Sequence, residues 1–374
     1  MIGKEEVLSE TPPAHGGDVY NLARTLKVKV DELLDFSANI NPLGYPPGLD
    51  VAAQEAMKLV CHYPDRGCLE LREKLAAYHQ LTPQQILVGN GSTELIYLVV
   101  RALRPQKGLI VVPAFSEYEQ AFKVAGVPVD FHLTLERHNF TLESPFDPRG
   151  ADLVFLANPA SPSGALLPGA RLKEIVGALD GAGVYVVLDE AFVDFVEEAS
   201  LKACLGQYRR LMILRSFTKF FGIPGLRLGY LLAAPELVAR LAALQEPWSV
   251  NSLAQALGLA CLADPGYIAQ SRELVHQERA YLFQGLSGLK GCVPFPSAVN
   301  YLLVKLSAPT LSAAGLRAGL FAEKILIRDA SNFKGLSPQF FRVAVRRRPE
   351  NKRLLAALKH CLEKFKVQGS KFKV

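Results

Sequence analysis

A lysine, a carboxylate, an amide and an aromatic ring each follow a short apolar run in the middle of the chain. Phe115 comes after "GLIVV", Asn158 after "LVFLA", Asp189 after "VYVVL" and Lys219 after "LMIL". If these runs are strands of an open sheet, ligands are expected beyond their carboxyl ends. Any one of these residues alone could equally be a helix cap, a turn residue or a solvated surface side chain. Four on successive runs predict one site that combines a nucleophilic amine with a fixed carboxylate.

A phosphate site is predicted where a helix begins in "LVGNGSTELIYLVVRAL". Gly91, Ser92 and Thr93 stand at that point, and the free N–H groups and dipole of a helix N-terminus attract anions. A plain helix cap would also explain the serine and the threonine. Ser216 and Arg227, both in "SFTKFFGIPGLRLGY", are expected to complete the site, because the planar arginine fork suits phosphate oxygens. "GNGSTE" does not match the GxGxxG fingerprint, which disfavours dinucleotide binding.

Pyridoxal phosphate is a ligand that would use all of these groups. Lys219 would hold it as a Schiff base, which requires a partly desolvated amine with a lowered pKa. Asp189 would pair with the pyridinium nitrogen and keep it protonated, so that the ring can act as an electron sink. We expect Asn158 to donate to the ring hydroxyl oxygen and Phe115 to stack on the ring, with Tyr118 as the alternative stacking residue.

Strands and helices alternate through the middle of the chain. The predicted strands are "GLIVV" (108–112), "LVFLA" (153–157), "VYVVL" (184–188), "LMIL" (211–214) and "LGYLLA" (228–233). Short, fully apolar runs between helical stretches are typical of a mainly parallel sheet covered by helices on both faces. "LKEIVGALDGAG", which ends at glycine, and "PELVARLAAL", which begins with proline, are predicted helices.

The pattern changes towards the C-terminus. A helical region over roughly 249–290 precedes strand-like runs in "VNYLLVKL", "KILIRDA" and "FFRVAVR", which is an α+β pattern. We therefore predict an α/β fold with a large cofactor-binding domain over 41–250 and a smaller α+β domain over 251–374. An N-terminal arm over 1–40 is expected to pack with the small domain.

The composition is typical of a globular protein with a large core: 374 residues, 49% hydrophobic and 21% charged. A net charge of +6 fits anionic substrates, and no nucleic-acid-binding signature accompanies it. No apolar run has the length of a membrane span or of a signal peptide, so we predict a cytoplasmic protein without a membrane partner. The 6 cysteines are scattered without a CxxC pair, which predicts reduced thiols and no metal site.

Four segments resemble those of a known family. "SFTKFFGIPGLRLGY" resembles the S-x-x-K-x-x-G-x-x-G-x-R-x-G block of the fold-type I, class I/II aminotransferases. "NPASPSG" resembles their NPxNPTG motif, and "LDEAFVDF" resembles their DEAY block. "HYPDRGCLELREKLAAYH" is similar to the segment that precedes the phosphate-binding turn in histidinol-phosphate aminotransferases. The resemblance extends from about "HGGDVY" to "PENKRLL" and implies a fold-type I, pyridoxal-phosphate-dependent enzyme.

Two branches of this superfamily remain open. "HGGDVYNLA", "LDFSANINPLG" and "DEAFVDF" are more similar to the L-threonine-O-3-phosphate decarboxylases, which make (R)-1-amino-2-propanol O-2-phosphate in cobalamin biosynthesis. The shared core and two C-terminal arginines also resemble the histidinol-phosphate aminotransferases. Phe192 stands where the aminotransferases carry a tyrosine, so Asn158 would have to bind the ring hydroxyl oxygen without that second partner.

The resemblance also implies residues for the substrate. Arg342 in "FFRVAV" would bind the substrate carboxylate, and Arg328 in "ILIRDA" would bind its phosphate. His15 and the Ser37–Asn39 segment would help to close the site. Tyr63 of "YPD" would reach the cofactor phosphate of a neighbouring subunit, which implies a homodimer with shared active sites.

The predicted function is decarboxylation of L-threonine O-3-phosphate, with amino transfer by a histidinol-phosphate aminotransferase as the alternative. Glutamate formation from 2-oxoglutarate would identify the aminotransferase. A third hypothesis is a non-enzymatic ligand-binding or regulatory protein, which the retained Lys219, Asp189 and Arg227 disfavour.

Overall fold

The computed structural model describes residues 15–143 and 145–370, and for 365–370 only the backbone. The first part of the predicted N-terminal arm, residues 1–14, and the last four residues lie outside this range. The strands are β1 Leu34–Asp35, β2 Ile86–Asn90, β3 Gly108–Val112, β4 Val129–Leu133, β5 Leu153–Ala157, β6 Tyr185–Asp189, β7 Leu211–Ser216, β8 Leu228–Ala233, β9 Cys292–Pro294, β10 Tyr301–Leu306, β11 Ile325–Leu326, β12 Arg328–Asp329 and β13 Phe340–Ala344. The α-helices are α1 Val19–Leu26, α2 Leu49–Ala56, α3 Leu69–His79, α4 Gly91–Leu103, α5 Ser116–Val124, α6 Gly169–Gly181, α7 Phe217–Phe220, α8 Pro235–Ala242, α9 Ser252–Cys261, α10 Pro265–Ser287, α11 Ala313–Leu320 and α12 Arg348–Ser370.

The described residues form two compact units. The larger unit contains residues 43–161 and 165–273, and the smaller contains the chain up to Pro42, Pro162–Gly164 and the chain from Leu274 onward. The later boundary falls inside α10 rather than at residue 250, since α9 packs against α2, α3 and β8 of the larger unit. A continuous helix across a boundary gives no local signal in the sequence. The three predicted domains themselves stay a prediction.

The larger unit is built on a seven-stranded sheet in the order β2-β8-β7-β6-β5-β3-β4. The pairs from β7 through β4 are parallel, and β8 is antiparallel to both β2 and β7. All residues of β3, β7 and β8 are buried. Because successive side chains of a strand point to opposite faces, this burial means that both faces of the sheet are covered. The predicted mainly parallel sheet is confirmed, with β2 and β4 as additional strands.

The smaller unit contains an antiparallel sheet in the order β12-β13-β10-β9 and a short parallel pair of β1 with β11. A core of buried side chains from β10, β13, α11 and α12 lies within this unit. Arg328 on β12 pairs in register with Arg342 on β13, which places the two predicted substrate arginines on neighbouring strands. No helix among residues 15–143 and 145–370 is long and apolar enough to cross a membrane.

Candidate active site

Four of the predicted side chains lie at one edge of the seven-stranded sheet. Phe115, Asn158, Asp189 and Lys219 follow or end β3, β5, β6 and β7, which are consecutive neighbours in the sheet. These four strands are parallel, so their carboxyl ends share one edge. Lys219 lies on α7, a single helical turn directly after β7, and is half-buried.

The carboxylate of Asp189 is held by two hydrogen bonds. Tyr118 donates its hydroxyl to Oδ2 at 2.5 Å, and the backbone N–H of Ala191 donates to Oδ1 at 2.8 Å. Burial raises the pKa of Asp189, while these two hydrogen bonds and the positive charge of Lys219 act to lower it. The carboxylate is therefore fixed in orientation and lies within the electrostatic influence of the Lys219 amine.

Tyr118 and Phe115 occupy different environments. The Tyr118 ring stacks on Phe155 in the core of the larger unit, with centroids 4.9 Å apart, and is 1% exposed. Phe115 is half-buried and lies edge-on to Tyr118, with centroids 5.9 Å apart. Phe115 therefore stays the predicted stacking residue, whereas Tyr118 presents its hydroxyl to Asp189 and keeps its ring in the core.

The backbone orients the amide of Asn158. Its Oδ1 accepts a hydrogen bond from the backbone N–H of Leu167 at 2.8 Å, which turns Nδ2 the other way. The side chain is 1% exposed, yet Nδ2 has no hydrogen-bond partner among the described residues. An unsatisfied buried donor costs about 1–3 kcal/mol. The position thus suits a ligand oxygen, as predicted for the ring hydroxyl.

The start of α4 is shaped by two glycines. Gly91 has φ +74°, and a Cβ at this position would lie 2.7 Å from Nη2 of Arg227. A Cβ at Gly229 would lie 2.4 Å from the backbone nitrogen of Ser92. The side chain of the N-cap residue Asn90 makes no capping hydrogen bond to the helix. Because both positions lack a Cβ, the Arg227 guanidinium and strand β8 can lie close to the N-terminus of α4. The N–H groups of this helix start are suited to bind an anion.

Ser216 lies beside this helix start. It is the register partner of Gly229 in the β7–β8 pair, and its Oγ is 2.8 Å from Oγ1 of Thr218. Ser92 and Thr93 are half-buried in the first turn of α4. The predicted phosphate residues of the larger unit thus come together around one helix N-terminus, and Thr218 adds a hydroxyl that the sequence analysis did not include.

Tyr63 has a different environment from the other predicted cofactor residues. Its side chain is 79% exposed and stacks on Trp248, with ring centroids 4.7 Å apart. Phe192, which replaces the family tyrosine, is buried with 8% of its surface exposed.

The predicted substrate arginines belong to the smaller unit. Arg342 is 7% exposed, donates from Nη2 to the backbone oxygen of Ser37 at 3.3 Å, and lies 5.2 Å from the ring centroid of Tyr301. Arg328 is 3% exposed and donates from Nη2 to Oδ1 of Asn332 at 2.8 Å. Burial lowers the pKa of both groups to about 10, and the charge of Arg342 contributes to the lowering at Arg328. The smaller unit therefore holds two positive charges next to each other.

The N-terminal segment joins this group through Ser37. The backbone N–H of Gly17 donates to Oγ of Ser37 at 2.8 Å, and a Cβ at Gly16 would lie 2.2 Å from the backbone oxygen of Ser37. The exposed His15 directly precedes these two glycines in the chain. Asn39 is buried, and its Oδ1 has no hydrogen-bond partner within the described part of the chain.

Comparison with known proteins identifies the family. The family model described as "Aminotransferase class I and II" matches residues 31–358. The chain belongs to the class I and II aminotransferase family. This assignment confirms the predicted fold and, with it, pyridoxal phosphate as the cofactor of the chain.

Relatives from two branches resemble this aminotransferase-family chain to a similar degree. The "Threonine-phosphate decarboxylase" of Salmonella typhimurium is 36% identical over 354 residues, which cover 93% of this chain and 96% of the relative. The solved L-threonine-O-3-phosphate decarboxylase of Porphyromonas gingivalis is 30% identical with a TM-score of 0.81, and the match covers 88% of this chain and 100% of that chain. The solved histidinol-phosphate aminotransferase of Clostridium acetobutylicum is 32% identical with a TM-score of 0.82, over 88% of this chain and 98% of that chain. Because both folds match equally well, fold alone does not separate the two reactions.

The residues of the larger unit fit the cofactor of this aminotransferase family. The buried Asn158 amide without a partner, the glycine-shaped start of α4 beside Arg227, and the fixed Asp189 carboxylate offer a donor, an anion site and an acceptor. A hydroxyl oxygen, a phosphate and a protonated ring nitrogen are the complementary groups of pyridoxal phosphate. The sequence analysis named Tyr118 only as a stacking residue and did not include Thr218 or the buried Arg215. The partners of Tyr118 and Arg215 lie 18 to 71 residues away in the sequence.

Proposed function

We propose that this enzyme decarboxylates L-threonine O-3-phosphate. The observation that carries the proposal is the pair of buried arginines, Arg328 and Arg342, opposite each other on β12 and β13. Two like charges side by side in a buried site repel each other, and a ligand with two anionic groups relieves that repulsion. Threonine phosphate carries a carboxylate and a phosphate on one small molecule. The names of the decarboxylase relatives support the same substrate.

The cofactor is held by residues of the larger unit. Lys219 would form the covalent link, Asp189 would accept the hydrogen bond of the ring nitrogen, and Asn158 would donate to the ring hydroxyl oxygen. The N–H groups at the start of α4, with Ser216 and Arg227, would bind the phosphate. Pyridoxal phosphate, when bound, supplies an electron sink for the electron pair of a breaking bond at Cα.

The protein selects which bond breaks by orienting the substrate. Arg342 binds the carboxylate, and Arg328 binds the phosphate, so that binding energy far from Cα fixes one rotamer. In that rotamer the Cα–carboxylate bond would be the one that breaks, and carbon dioxide would leave. The Lys219 amine then delivers one proton to Cα, which replaces the lost carboxylate.

A paired assay on the cofactor-loaded protein tests the proposal. Threonine phosphate is supplied and carbon dioxide is followed, and separately histidinol phosphate and 2-oxoglutarate are supplied and glutamate is followed. Carbon dioxide without glutamate is expected. Glutamate without carbon dioxide would instead identify a histidinol-phosphate aminotransferase and leave the cofactor residues unchanged.

A homodimer with shared active sites is part of the same proposal. The exposure of Tyr63 and Trp248 supports it, as do exposed apolar side chains on the same stretch of chain: Met57, Leu59, Val60 and Leu69. In the dimer, Tyr63 reaches the cofactor phosphate of the other subunit. Sedimentation analysis checks the oligomeric state, and Tyr63→Phe is expected to weaken cofactor binding. The cytoplasmic location stays a prediction.

A further inference from the structure

A buried ion cluster lies directly beside the cofactor carboxylate in sequence. Glu190 follows Asp189 at the end of β6, and Arg215 lies on the neighbouring β7; both are 0% exposed. Nη1 of Arg215 donates to Oε2 of Glu190 at 3.1 Å. Nη2 of Arg215 donates to Oδ1 of Asp194 at 2.9 Å and to Oε2 of Glu197 at 2.5 Å. These four residues are called the Arg215 cluster below.

Every oxygen of the Glu190 carboxylate is engaged. Oε1 accepts from the backbone N–H of Leu201 at 2.9 Å, and Oε2 accepts from the hydroxyl of Ser200 at 2.6 Å. The backbone N–H of Glu190 donates to the carbonyl of Leu214 on β7 at 2.9 Å. Glu190 is therefore fixed through both its side chain and its backbone, and its side chain cannot rotate without breaking several hydrogen bonds.

This anchoring reaches Asp189 through the next peptide. The N–H that donates to Oδ1 of Asp189 belongs to Ala191, and its peptide bond begins at the carbonyl carbon of Glu190. Fixing Glu190 therefore fixes the donor that orients Asp189. Tyr118 holds the second oxygen of Asp189 independently.

The segment after β6 that Arg215 holds also contacts α7, the helix that carries Lys219. In the sequence, Phe195 lies between Asp194 and Glu197 of the Arg215 cluster. Its ring packs on Phe220 with centroids 4.9 Å apart. Phe220 directly follows Lys219 on α7. The cluster therefore restrains the environments of both Asp189 and Lys219.

Stability alone does not account for such a cluster. Replacing buried ion pairs by apolar side chains of similar volume is often neutral or stabilising, because burying charges has a large desolvation cost. What an apolar replacement cannot supply is the fixed hydrogen-bond geometry described above. The burial of Arg215, Glu190 and Asp194 is explained by the orientation that they impose on the segment after β6.

We propose that Arg215 and Glu190 are positioning residues that orient the Asp189 carboxylate for the ring nitrogen of pyridoxal phosphate. Neither residue is among those assigned above to hold the cofactor. The proposal goes beyond the proposed function, since it concerns the cofactor and holds for decarboxylation and amino transfer alike.

The test compares two carboxylates of the same arginine, Glu190→Gln and Glu197→Gln. The dissociation constant of pyridoxal phosphate is measured on the apoprotein, and the pH titration of its visible absorption is recorded. Glu190→Gln is expected to raise the dissociation constant about tenfold, as loss of a partner that orients a ligand-binding side chain does. It should also shift the pH midpoint of the titration, because the protonation of the cofactor depends on how firmly the carboxylate is held. Glu197→Gln should change affinity by less than about twofold, since it has no direct link to the Ala191 peptide.

Two results would overturn the proposal. One is Glu190→Gln with wild-type affinity and midpoint; the other is an equal change in both variants, because the cluster would then act on folding alone. If Glu190→Gln does not fold, Ser200→Ala removes one donor to Glu190, and an unchanged affinity and midpoint in this milder variant reject the proposal. The measurement needs no substrate, so failure to decarboxylate threonine phosphate does not affect it. A wild-type protein that binds no pyridoxal phosphate would instead reject the cofactor assignment.

Discussion

The molecule buries arginines in two opposite ways. In the larger unit, Arg215 contacts three carboxylates, and although burial alone would lower its pKa, their charges raise it well above the usual value. In the smaller unit, Arg328 and Arg342 lie opposite each other, and burial lowers the pKa of both to about 10. The residue type and the degree of burial are similar, but the neighbouring charges differ.

This difference separates two uses of the same side chain. A guanidinium whose charge is balanced by the chain's own carboxylates holds backbone segments in place. Two buried guanidiniums on neighbouring strands, of which Arg342 lowers the pKa of Arg328 further, are suited to an anionic ligand. The predictions below test that distinction.

Lys219→Ala is expected to have the largest effect on turnover, because it removes the reactive amine. It leaves both arginine environments intact. Turnover should fall by at least about 10³-fold, since a covalent catalytic group is lost. The covalently held fraction of the cofactor, measured by visible absorption and by borohydride trapping, should disappear while the melting temperature of the apoprotein is retained. Lys123→Ala, at an exposed lysine, serves as the control. Full activity of the Lys219 variant would reject the cofactor assignment.

Arg215→Met should lower the free energy of unfolding by about 3–5 kcal/mol, because it leaves buried carboxylates without their partner. Urea unfolding of the apoprotein measures this change. The matched variant Arg328→Met should leave stability unchanged or raise it, since it removes a repelled charge. If both variants lose the same stability, the two environments do not differ as described.

Arg342→Ala should reduce kcat/KM for threonine phosphate on the order of 10²- to 10³-fold, as expected for a buried arginine that binds a carboxylate. The apoprotein should unfold at the same urea concentration as wild type. Arg353→Ala removes an exposed arginine of the same unit and should retain full activity. Wild-type kinetics in the Arg342 variant would contradict its assigned role.

Arg328→Ala should raise KM for threonine phosphate by about tenfold or more, which corresponds to loss of one charge-assisted contact with phosphate. Activity on unphosphorylated threonine should change little, because that substrate has no group for Arg328. Steady-state kinetics with threonine phosphate and with threonine measure how much the variant loses with each substrate. An equal loss with both substrates would exclude a phosphate-specific role.

The last prediction concerns pH and His79, which lies beside the Arg215 cluster with Nε2 2.7 Å from the hydroxyl of Tyr230. Burial, with the charges of Arg215 and Lys202, lowers the pKa of His79 to about 2. Below about pH 6.5 the unfolded chain binds a proton at His79 that the folded chain does not bind. The contribution of neutral His79 to the free energy of unfolding is therefore complete only above that pH. It should fall by about 1.4 kcal/mol per pH unit as the pH decreases towards 2. Urea unfolding of wild type and His79→Gln across this range isolates the contribution, and identical slopes would contradict it.

The sequence predicted those parts of the fold whose signal is local. The predicted bounds of β3, β5 and β8 agree with the structure, because fully apolar runs that end in turns mark buried strands. β4 was missed since it is only half-buried and contains Asp130 and His132, so it lacks a continuous apolar run. The run "KILIRDA" was predicted as one strand but forms β11 and β12, which pair with β1 and β13 respectively.

The site was predictable where chemistry follows a strand end or a family motif. Asp189 and Lys219 were placed in this way, whereas the Tyr118 hydroxyl that orients Asp189 comes from 71 residues away. Arg215 was overlooked because "LMILRSFTK" shows an arginine after a strand and nothing of its three partners. Contacts between side chains distant in the sequence depend on the tertiary fold, and local patterns do not contain them.

The pairing of β1 with β11 has a consequence for biosynthesis. Leu34 pairs with Ile325, so 325 − 34 = 291 residues separate the partners. At a translation rate of about 5–20 residues per second, β1 leaves the ribosome roughly 15–60 s before its partner. The seven strands of the larger unit all lie between Ile86 and Ala233 and can pair during that interval. The smaller unit, and with it the arginine pair, is completed only when synthesis is nearly finished.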